Sequence, residues 1–270
     1  MISTVGNFSL SAAILVAVGA ILASIYAVRF DSAWGAKLAR WGVAAIALCF
    51  TAASFALLKA ILDSQFQFQY VVDYTERALP LGYKYAAFWA GQAGSLLLWA
   101  WMLGVMCAMA AWQYRKKTGK EFMIATAVMA LVCGFFAMVL ILDSNPVDGY
   151  TNPFTLVPHN VPEDGHGMNP MLQDPGMIFH PPLLFAGYAG FTVPFAVLIG
   201  VLVAGVRGNR WLGEVRRWVL ASWVFLTVGI VLGAWWAYVE LGWGGYWAWD
   251  PVENASLLPW LTSTEIGRAH

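Results

Sequence analysis

The chain has 270 residues, of which 60% are hydrophobic and 11% charged, and its formal net charge at pH 7 is zero. Its mean hydropathy is +0.65. A water-soluble globular domain of this size does not normally combine these values, so the composition excludes that class and indicates an integral membrane protein.

Six apolar runs, taken in chain order, are each long enough to cross a hydrocarbon core, which needs about 20 helical residues. They cover residues 8–28, 42–62, 93–113, 122–142, 182–206 and 218–239. No basic region precedes the first run, so we expect it to stay as a span rather than be removed as a signal peptide. We predict an all-α, polytopic fold with six transmembrane helices and the start of a seventh, packed through abundant Gly and Ala.

Basic residues are concentrated in alternate connections between these runs. The basic connections are 29–40, 114–121 and 207–217, whereas 143–181 and 240–260 contain no Lys or Arg. The positive-inside rule places the basic connections in the cytoplasm. The N-terminus, the polar loop and the segment after the sixth run are then expected on the opposite face. Topology alone is the favoured interpretation of each basic cluster, over a nucleic-acid or lipid head-group site.

The stretch "MNPMLQDPGMIFHPPLLFAGY" leads from the polar loop into the fifth apolar run. Asp174 and Pro175 resemble a helix start, and His180 follows less than two turns later. A histidine at this place is either an interfacial or hydrogen-bonded polar group, or an axial ligand, since neutral imidazole binds iron in haem proteins. The residues alone leave both interpretations open.

The stretch "ELGWGGYWAWDPVENASLL" at 240–258 has an unusual density of aromatic and glycine residues. Trp and Tyr favour the membrane interface, so a simple interfacial belt is one interpretation. A belt does not need the glycines, which let a backbone turn sharply or approach a ligand closely. The pattern therefore favours a platform for a large planar ligand. Asp250, Pro251 and Glu253 also predict a capping box at the start of a seventh helix.

Three stretches together resemble one family. "WGGYWAWDPVENASLLPWL" resembles the tryptophan-rich WWD signature of the haem-handling proteins of cytochrome c assembly, in the version carried by the CcmF family of haem lyase subunits. "NPMLQDPGMIFHPPLLFAGY" resembles the histidine-bearing segment of that family, and "FWAGQAGSLLLW" at 88–99 resembles a third motif. The matches span most of 88–261.

The resemblance implies a haem lyase subunit that holds haem at the periplasmic face for thioether attachment to a CxxCH motif of apocytochrome c. Haem b would be the substrate, and the thiol nucleophiles would come from apocytochrome c, so no catalytic residue is expected in this chain. His180 would be an axial ligand of the iron. The implied haem platform consists of Trp243, Gly244, Gly245, Tyr246, Trp247, Trp249 and Asp250.

The resemblance also implies partners and a location. The partners would be apocytochrome c, the haem chaperone CcmE, further maturation subunits such as CcmH and CcmI, and membrane lipid, with no nucleic acid. The location would be the bacterial inner membrane, with the N-terminus and the WWD segment periplasmic. Two other functions stay open from sequence: a haem transporter, and a non-catalytic haem relay or scaffold. A close paralogue that serves nitrite-reductase assembly shares the motifs.

Members of the family are about twice this length or more, so we expect the sequence to be an N-terminal fragment. "TSTEIGRAH" does not continue an apolar helix and is expected to be a non-native tail, and no ligand role is assigned to His270. The predicted regions are four helices in 1–142, a periplasmic loop in 143–181, two helices in 182–239, the WWD haem-binding segment in 240–261 and the tail in 262–270.

Overall fold

A computed structural model describes residues 1–142, 150–240 and 244–268, and within these ranges the structure is helical apart from connecting segments. The α-helices are α1 (Ile2–Phe30), α2 (Ala33–Leu62), α3 (Gln69–Tyr74), α4 (Leu81–Ala86), α5 (Gln92–Gln113), α6 (Lys120–Leu142), α7 (Pro175–Ala204), α8 (Arg210–Glu240) and α9 (Pro251–Arg268). Short 3₁₀ turns occupy Ala87–Trp89, Tyr114–Lys116 and Pro170–Leu172.

Six of these helices are long and apolar enough to cross a membrane: α1, α2, α5 with its following turn, α6, α7 and α8. The predicted all-α fold with six spans is therefore confirmed. Several helices extend beyond the apolar runs that predicted them. Because α7 begins at Pro175, His180, Pro181 and Pro182 all lie inside that helix.

The connection between α1 and α2 is only two residues long. Asp31 adopts a left-handed conformation (φ 51°) and ends α1. The Ser32 hydroxyl accepts a hydrogen bond from the Gly35 amide at 3.2 Å and so caps the start of α2. Such a short turn forces α1 and α2 to pack side by side in opposite directions.

Small residues set the close approach of α7 and α8. A Cβ atom on Gly187 would lie 2.9 Å from Leu226 Cβ, and one on Gly229 would lie 2.8 Å from Leu184 Cδ2. These distances are shorter than side chains tolerate, so only glycine allows the two helices to approach this closely. Packing through small residues, as predicted, is the ordinary basis of helix association in membranes.

The two long connections at one end of the helix bundle, 63–91 and 150–174, pack against each other, and we call them the loop cap. Their backbone hydrogen bonds are Gln69 N to Thr155 O (2.9 Å), Val157 N to Gln67 O (3.0 Å) and His166 N to Val72 O (2.7 Å). Asn152 also donates to Asn7 of α1 at 2.9 Å. Part of the predicted polar loop, 143–149, lies outside the described residues.

Candidate functional site

Tyr70 fixes the start of the third motif, 88–99. Its ring is fully buried, and its hydroxyl lies 3.0 Å from the carbonyl oxygens of Ala87 and Phe88. The same hydroxyl accepts a hydrogen bond from the Gly91 amide at 3.0 Å. Burial raises the pKa of the Tyr70 phenol, so the hydroxyl keeps its proton and remains a donor. This arrangement holds the turn ahead of α5 in one conformation.

Trp89 connects that motif to the helix that carries His180. Its indole Nε1–H donates to the Met177 carbonyl at 2.8 Å. Three residues before Met177, the buried Asp174 carboxylate accepts from the Gly176 amide at 2.6 Å and caps α7, with Pro175 at the first helical position. The predicted helix start at Asp174 is therefore confirmed, and the two motifs are in direct contact.

His180 is half-buried on α7 and faces α8. Its Nδ1 lies 2.7 Å from the Gly229 carbonyl oxygen. A carbonyl oxygen can only accept, so Nδ1 carries the proton, and in the neutral imidazole Nε2 keeps its lone pair. This is the tautomer that a metal-binding histidine needs, with the other ring nitrogen fixed by a hydrogen bond.

Two residues of α8 that sequence reasoning missed define the surroundings of His180. A Cβ atom on Gly233 would lie 2.7 Å from His180 Nδ1, so the ring packs directly on this glycine. The Trp236 ring lies 5.9 Å from the His180 ring, centroid to centroid, and its Nε1 is buried with no hydrogen-bond partner among the described residues. The spacing of Gly229, Gly233 and Trp236, which places them on one helix face, is the signal that identifies them.

The segment 244–250 presents aromatic rings to the surroundings. The Tyr246 ring stacks on Tyr238 of α8 at 4.5 Å with an interplanar angle of 10°. Tyr246 is 58% exposed and Trp249 is 69% exposed. Trp247 is half-buried and meets Trp249 edge to face at 6.2 Å. Its Nε1 is a buried donor without a partner among the described residues.

Two residues in this segment have backbone conformations that L-amino acids rarely adopt. Gly244 has φ 70° and Trp249 has φ 60°. Glycine adopts this region freely, but for a bulky side chain it costs about 1–2 kcal/mol. Strain of this kind is typical of functional sites and turns. The Trp249 ring is mostly exposed apart from its contact with Trp247, so a ligand could contact it.

The start of α9 follows the predicted capping arrangement with one difference. The Asp250 carboxylate accepts from the Glu253 amide at 2.7 Å, as a cap should. The Glu253 carboxylate accepts from the Ala248 amide at 2.7 Å, not from the Asp250 amide that a standard capping box predicts. Asp250 is therefore tied to the helix start, and Glu253 holds the aromatic segment against it.

Helix α9 is attached to α8 by tryptophans. Trp260 Nε1 donates to the Thr227 hydroxyl at 2.7 Å, and Trp223 Nε1 donates to the Thr264 hydroxyl at 2.9 Å. The Trp223 and Trp260 rings stack at 6.2 Å. Both helices that flank the aromatic segment are therefore fixed to each other.

The predicted site residues form two groups, and each group contacts the last turns of α8. His180 contacts Trp236, and Tyr246 contacts Tyr238. Among the described residues, no hydrogen bond or ring contact joins His180 to the segment 244–250. Gly245 is half-buried within that segment. Trp243, also predicted for the platform, lies outside the described residues.

Comparison with known proteins gives a consistent result. The family model described as cytochrome C assembly protein matches residues 89–266. The CcmF cytochrome c-type biogenesis proteins of Haemophilus influenzae and Pseudomonas aeruginosa are 39% and 42% identical to this chain, each over 98% of it. The cytochrome c-type biogenesis protein NrfE of Haemophilus influenzae is 43% identical over 83% of the chain.

A solved structure of the cytochrome c haem lyase CcmF matches 98% of this chain with a TM-score of 0.80 and 32% identity. The same match covers 41% of that protein. The chain covers 40% and 39% of the two CcmF relatives and 34% of NrfE. It therefore spans about 40% of the length of the CcmF proteins it resembles.

Proposed function

Because the chain belongs to the cytochrome C assembly protein family, we propose that it holds haem b for covalent attachment to apocytochrome c, as part of a cytochrome c-type haem lyase. The observation that carries this proposal is the exposed aromatic surface of Tyr246 and Trp249 beside the capped start of α9. Exposed aromatic faces suit a planar, mostly apolar ring with polar edges, since each aromatic contact adds about 0.5–1.5 kcal/mol beyond burial.

Haem is the substrate in this proposal, and the residues present fit it. The half-buried Trp247 and Trp236 each offer an indole N–H without a partner among the described residues. An acceptor such as a haem carboxylate would satisfy a donor of this kind, because a buried polar group costs free energy when it stays unpaired. The amides at the start of α9 would also favour a carboxylate.

His180 is the proposed axial ligand of the iron. Its Nδ1–H bond to Gly229 leaves Nε2 as the free nitrogen, and the half-buried ring is held by Gly233 and Trp236. His180 and the segment 244–250 make separate contacts with α8 in the structure. The haem complex therefore requires the segment to move relative to His180, or haem to bridge the distance between them.

The chemistry assigned to this chain is binding and orientation. Each thioether bond joins a cysteine sulfur of the CxxCH motif to a vinyl carbon of haem, and the thiol hydrogen goes to the other vinyl carbon. Holding both reactants in position can lower a barrier by about 7–11 kcal/mol. No nucleophile of this chain takes part in the step.

The location and partners proposed for the chain follow from charge and from family membership. The basic connections lie at the end of the bundle opposite the loop cap, which supports a periplasmic loop cap and WWD segment in a bacterial inner membrane. Proposed partners are apocytochrome c, the chaperone CcmE and maturation subunits such as CcmH and CcmI. The resemblance to a paralogue that serves nitrite-reductase assembly leaves two client classes to test, general c-type cytochromes and nitrite reductase.

Two assays test this proposal. The first measures haem bound to the purified chain. The second measures haem attached to a periplasmic CxxCH reporter by the full-length gene product, in a bacterium that lacks its own lyase subunit but has all partner subunits. We expect His180→Ala to lower haem retention at least about tenfold, since loss of a supporting residue alone costs about 10–100-fold in metal affinity. His159, an exposed histidine of the loop cap, provides the matched control His159→Ala.

The two readouts separate the possible failures. Retained haem without attachment, from well-inserted protein, would contradict the lyase role and support a haem relay. Normal haem retention in His180→Ala would contradict the ligand role. Loss of haem in both histidine variants would indicate a general folding defect, which circular dichroism of the purified proteins would detect.

A further inference from the structure

Helices α2 and α5 present matching side chains to each other at the end of the bundle that carries the basic connections. On α2 these are Lys37, Arg40, Trp41 and Ala44; on α5 they are Ala108, Ala111 and Trp112, continued by Arg115 in the 3₁₀ turn that follows α5. Each set follows the i, i+3, i+4, i+7 spacing that puts residues on one helix face. All eight line a single cavity of about 240 Å³. Lys37, Trp41, Trp112 and Arg115 are exposed and, with Arg40, are taken as its mouth, whereas none of the three alanines is exposed and they are taken as its floor.

This cavity continues into a second, apolar one of about 650 Å³ along the same two helices. The two cavities share Ala44, Ala108 and Trp112, and the second reaches Thr51 and is bounded by Trp218 of α8. We call the combined space the basic-end groove. Farther along, the helices close: a Cβ on Gly104 would lie 2.9 Å from Phe50. The second cavity, at about 650 Å³, is within the range of about 300–1,000 Å³ that is typical of ligand sites.

The cations at the mouth have no carboxylate partner among the described residues. The ion pairs among the described residues join Lys59 to Asp63, Lys117 to Glu214 and His166 to Asp73, and none of them involves a cation of the groove. The residues that line the groove include no Asp or Glu. The Arg115 guanidinium lies 3.9 Å from the Trp112 ring centroid and donates to the Trp112 carbonyl at 2.8 Å. The groove therefore has an uncompensated positive mouth and an apolar interior.

From this combination we propose that the basic-end groove binds one anionic phospholipid of the surrounding membrane. The phosphate group pairs with Lys37, Arg40 and Arg115, and an acyl chain lies along the alanine floor. Trp41 and Trp112, 65% and 67% exposed, lie at the level where tryptophans contact the head-group region. Two alternative ligands fit the groove less well. A zwitterionic lipid would place its own positive head-group charge beside the cations of the mouth, and a soluble phosphate would leave the apolar part of the groove empty. Basic pockets between membrane helices select anionic lipid in this way.

From sequence alone, Lys37, Arg40 and Arg115 are interpreted as signals of membrane topology. The groove gives them a second role, lipid binding, which does not depend on haem. The test is native mass spectrometry of the purified chain in detergent, titrated with phosphatidylglycerol or phosphatidylcholine of identical acyl chains. We expect one phosphatidylglycerol to be retained with an affinity about tenfold or more above that of phosphatidylcholine. The triple variant K37Q/R40Q/R115Q should lose that preference.

The matched control is R207Q/R210Q/R216Q, which removes three charges from the same end of the bundle. Arg207 and Arg210 line a different cavity that contains Glu121 and Glu214. The control should keep the phosphatidylglycerol preference. Equal loss in both triple variants would overturn the proposal in favour of a general charge effect. An unchanged preference in K37Q/R40Q/R115Q would also overturn it, and is the result expected if a protein helix covers the groove.

Discussion

Gly233 sets how closely the His180 ring approaches α8. A Cβ at this position would lie 2.7 Å from His180 Nδ1 and 3.1 Å from Nε2. The ring would have to move away, and its 2.7 Å bond to the Gly229 carbonyl would break. We therefore expect Gly233→Ala to weaken haem retention about 10–100-fold, as loss of a residue that orients a metal ligand does. Haem absorbance of the purified variant measures this directly.

Gly213 provides the control for this prediction, because it lies on the same helix and a Cβ there would meet nothing within 4 Å. Gly213→Ala should keep its haem and gain about 0.5–1 kcal/mol in helix stability. Full haem retention by Gly233→Ala would mean that the orientation of the His180 ring does not matter for binding.

The role of His180 shows what sequence can decide at the scale of one residue. The motif places a histidine near the start of a membrane helix, but it leaves a hydrogen-bonded group and a metal ligand equally open. The structure supplies the partner, the Gly229 carbonyl, which lies far away in the sequence. That bond makes both descriptions compatible, since one ring nitrogen is hydrogen-bonded and the other stays free.

Asp250 is the cap of α9 and also a predicted platform residue, and these roles can be separated. Asp250→Ala removes the acceptor of the 2.7 Å bond from the Glu253 amide. We expect a loss of about 1 kcal/mol in the stability of the first turn of α9. Asp250→Asn keeps an acceptor oxygen and should lose only a few tenths of a kcal/mol. Hydrogen exchange of the amides at 251–256 measures both.

Haem retention of the same two variants tests the second role. If the carboxylate charge of Asp250 contacts haem, Asp250→Asn should lose haem although its amide exchange is normal. If Asp250 acts only as a cap, Asp250→Asn should match the native protein in both assays. Normal exchange in Asp250→Ala would contradict the capping role itself.

At the scale of elements, the membrane helices were predictable and the short helices were not. Long runs without charge identify the six spans, because few other structures tolerate 20 apolar residues. Helices α3 and α4 are six residues each, too short to form without tertiary support. Their positions depend on contacts such as the Tyr70 hydroxyl with the backbone at 87–91, which no local pattern reveals.

Across the whole molecule, charge predicted which connections share an end of the bundle, but not how they meet. The connections 63–91 and 150–174 are poor in Lys and Arg, and the structure places them together as the loop cap. Three of the bonds that pair them join backbone groups only, and side-chain patterns carry little information about such bonds. Trp89, within the cap segment 63–91, donates to the Met177 carbonyl of α7, so the integrity of the cap affects the helix that carries His180.

Acid should loosen the loop cap at Asp164. The exposed Asp164 Oδ1 accepts from the Arg77 amide at 2.9 Å and from the Gly165 amide at 2.8 Å. These two bonds, the Arg77 bond first, lower the pKa of Asp164 below its ordinary value of 3.8. A carboxyl whose pKa is lower in the folded state stabilises that state above pH 3.8, and this contribution is lost as pH falls through the folded-state pKa. Hydrogen exchange of the Arg77 amide, corrected for intrinsic rate, should therefore lose protection over that range.

Asp164→Asn makes the cause of this acid response testable. The side-chain amide keeps an acceptor oxygen but cannot titrate, so the protection of the Arg77 amide, corrected for intrinsic rate, should no longer depend on pH in this range. Amides inside α2, which do not contact the cap residue Asp164, serve as the internal reference. An acid-induced loss of Arg77 protection that persists in Asp164→Asn would assign the response to another group. In that case the Asp164 carboxylate would not be the group whose protonation releases the Arg77 amide.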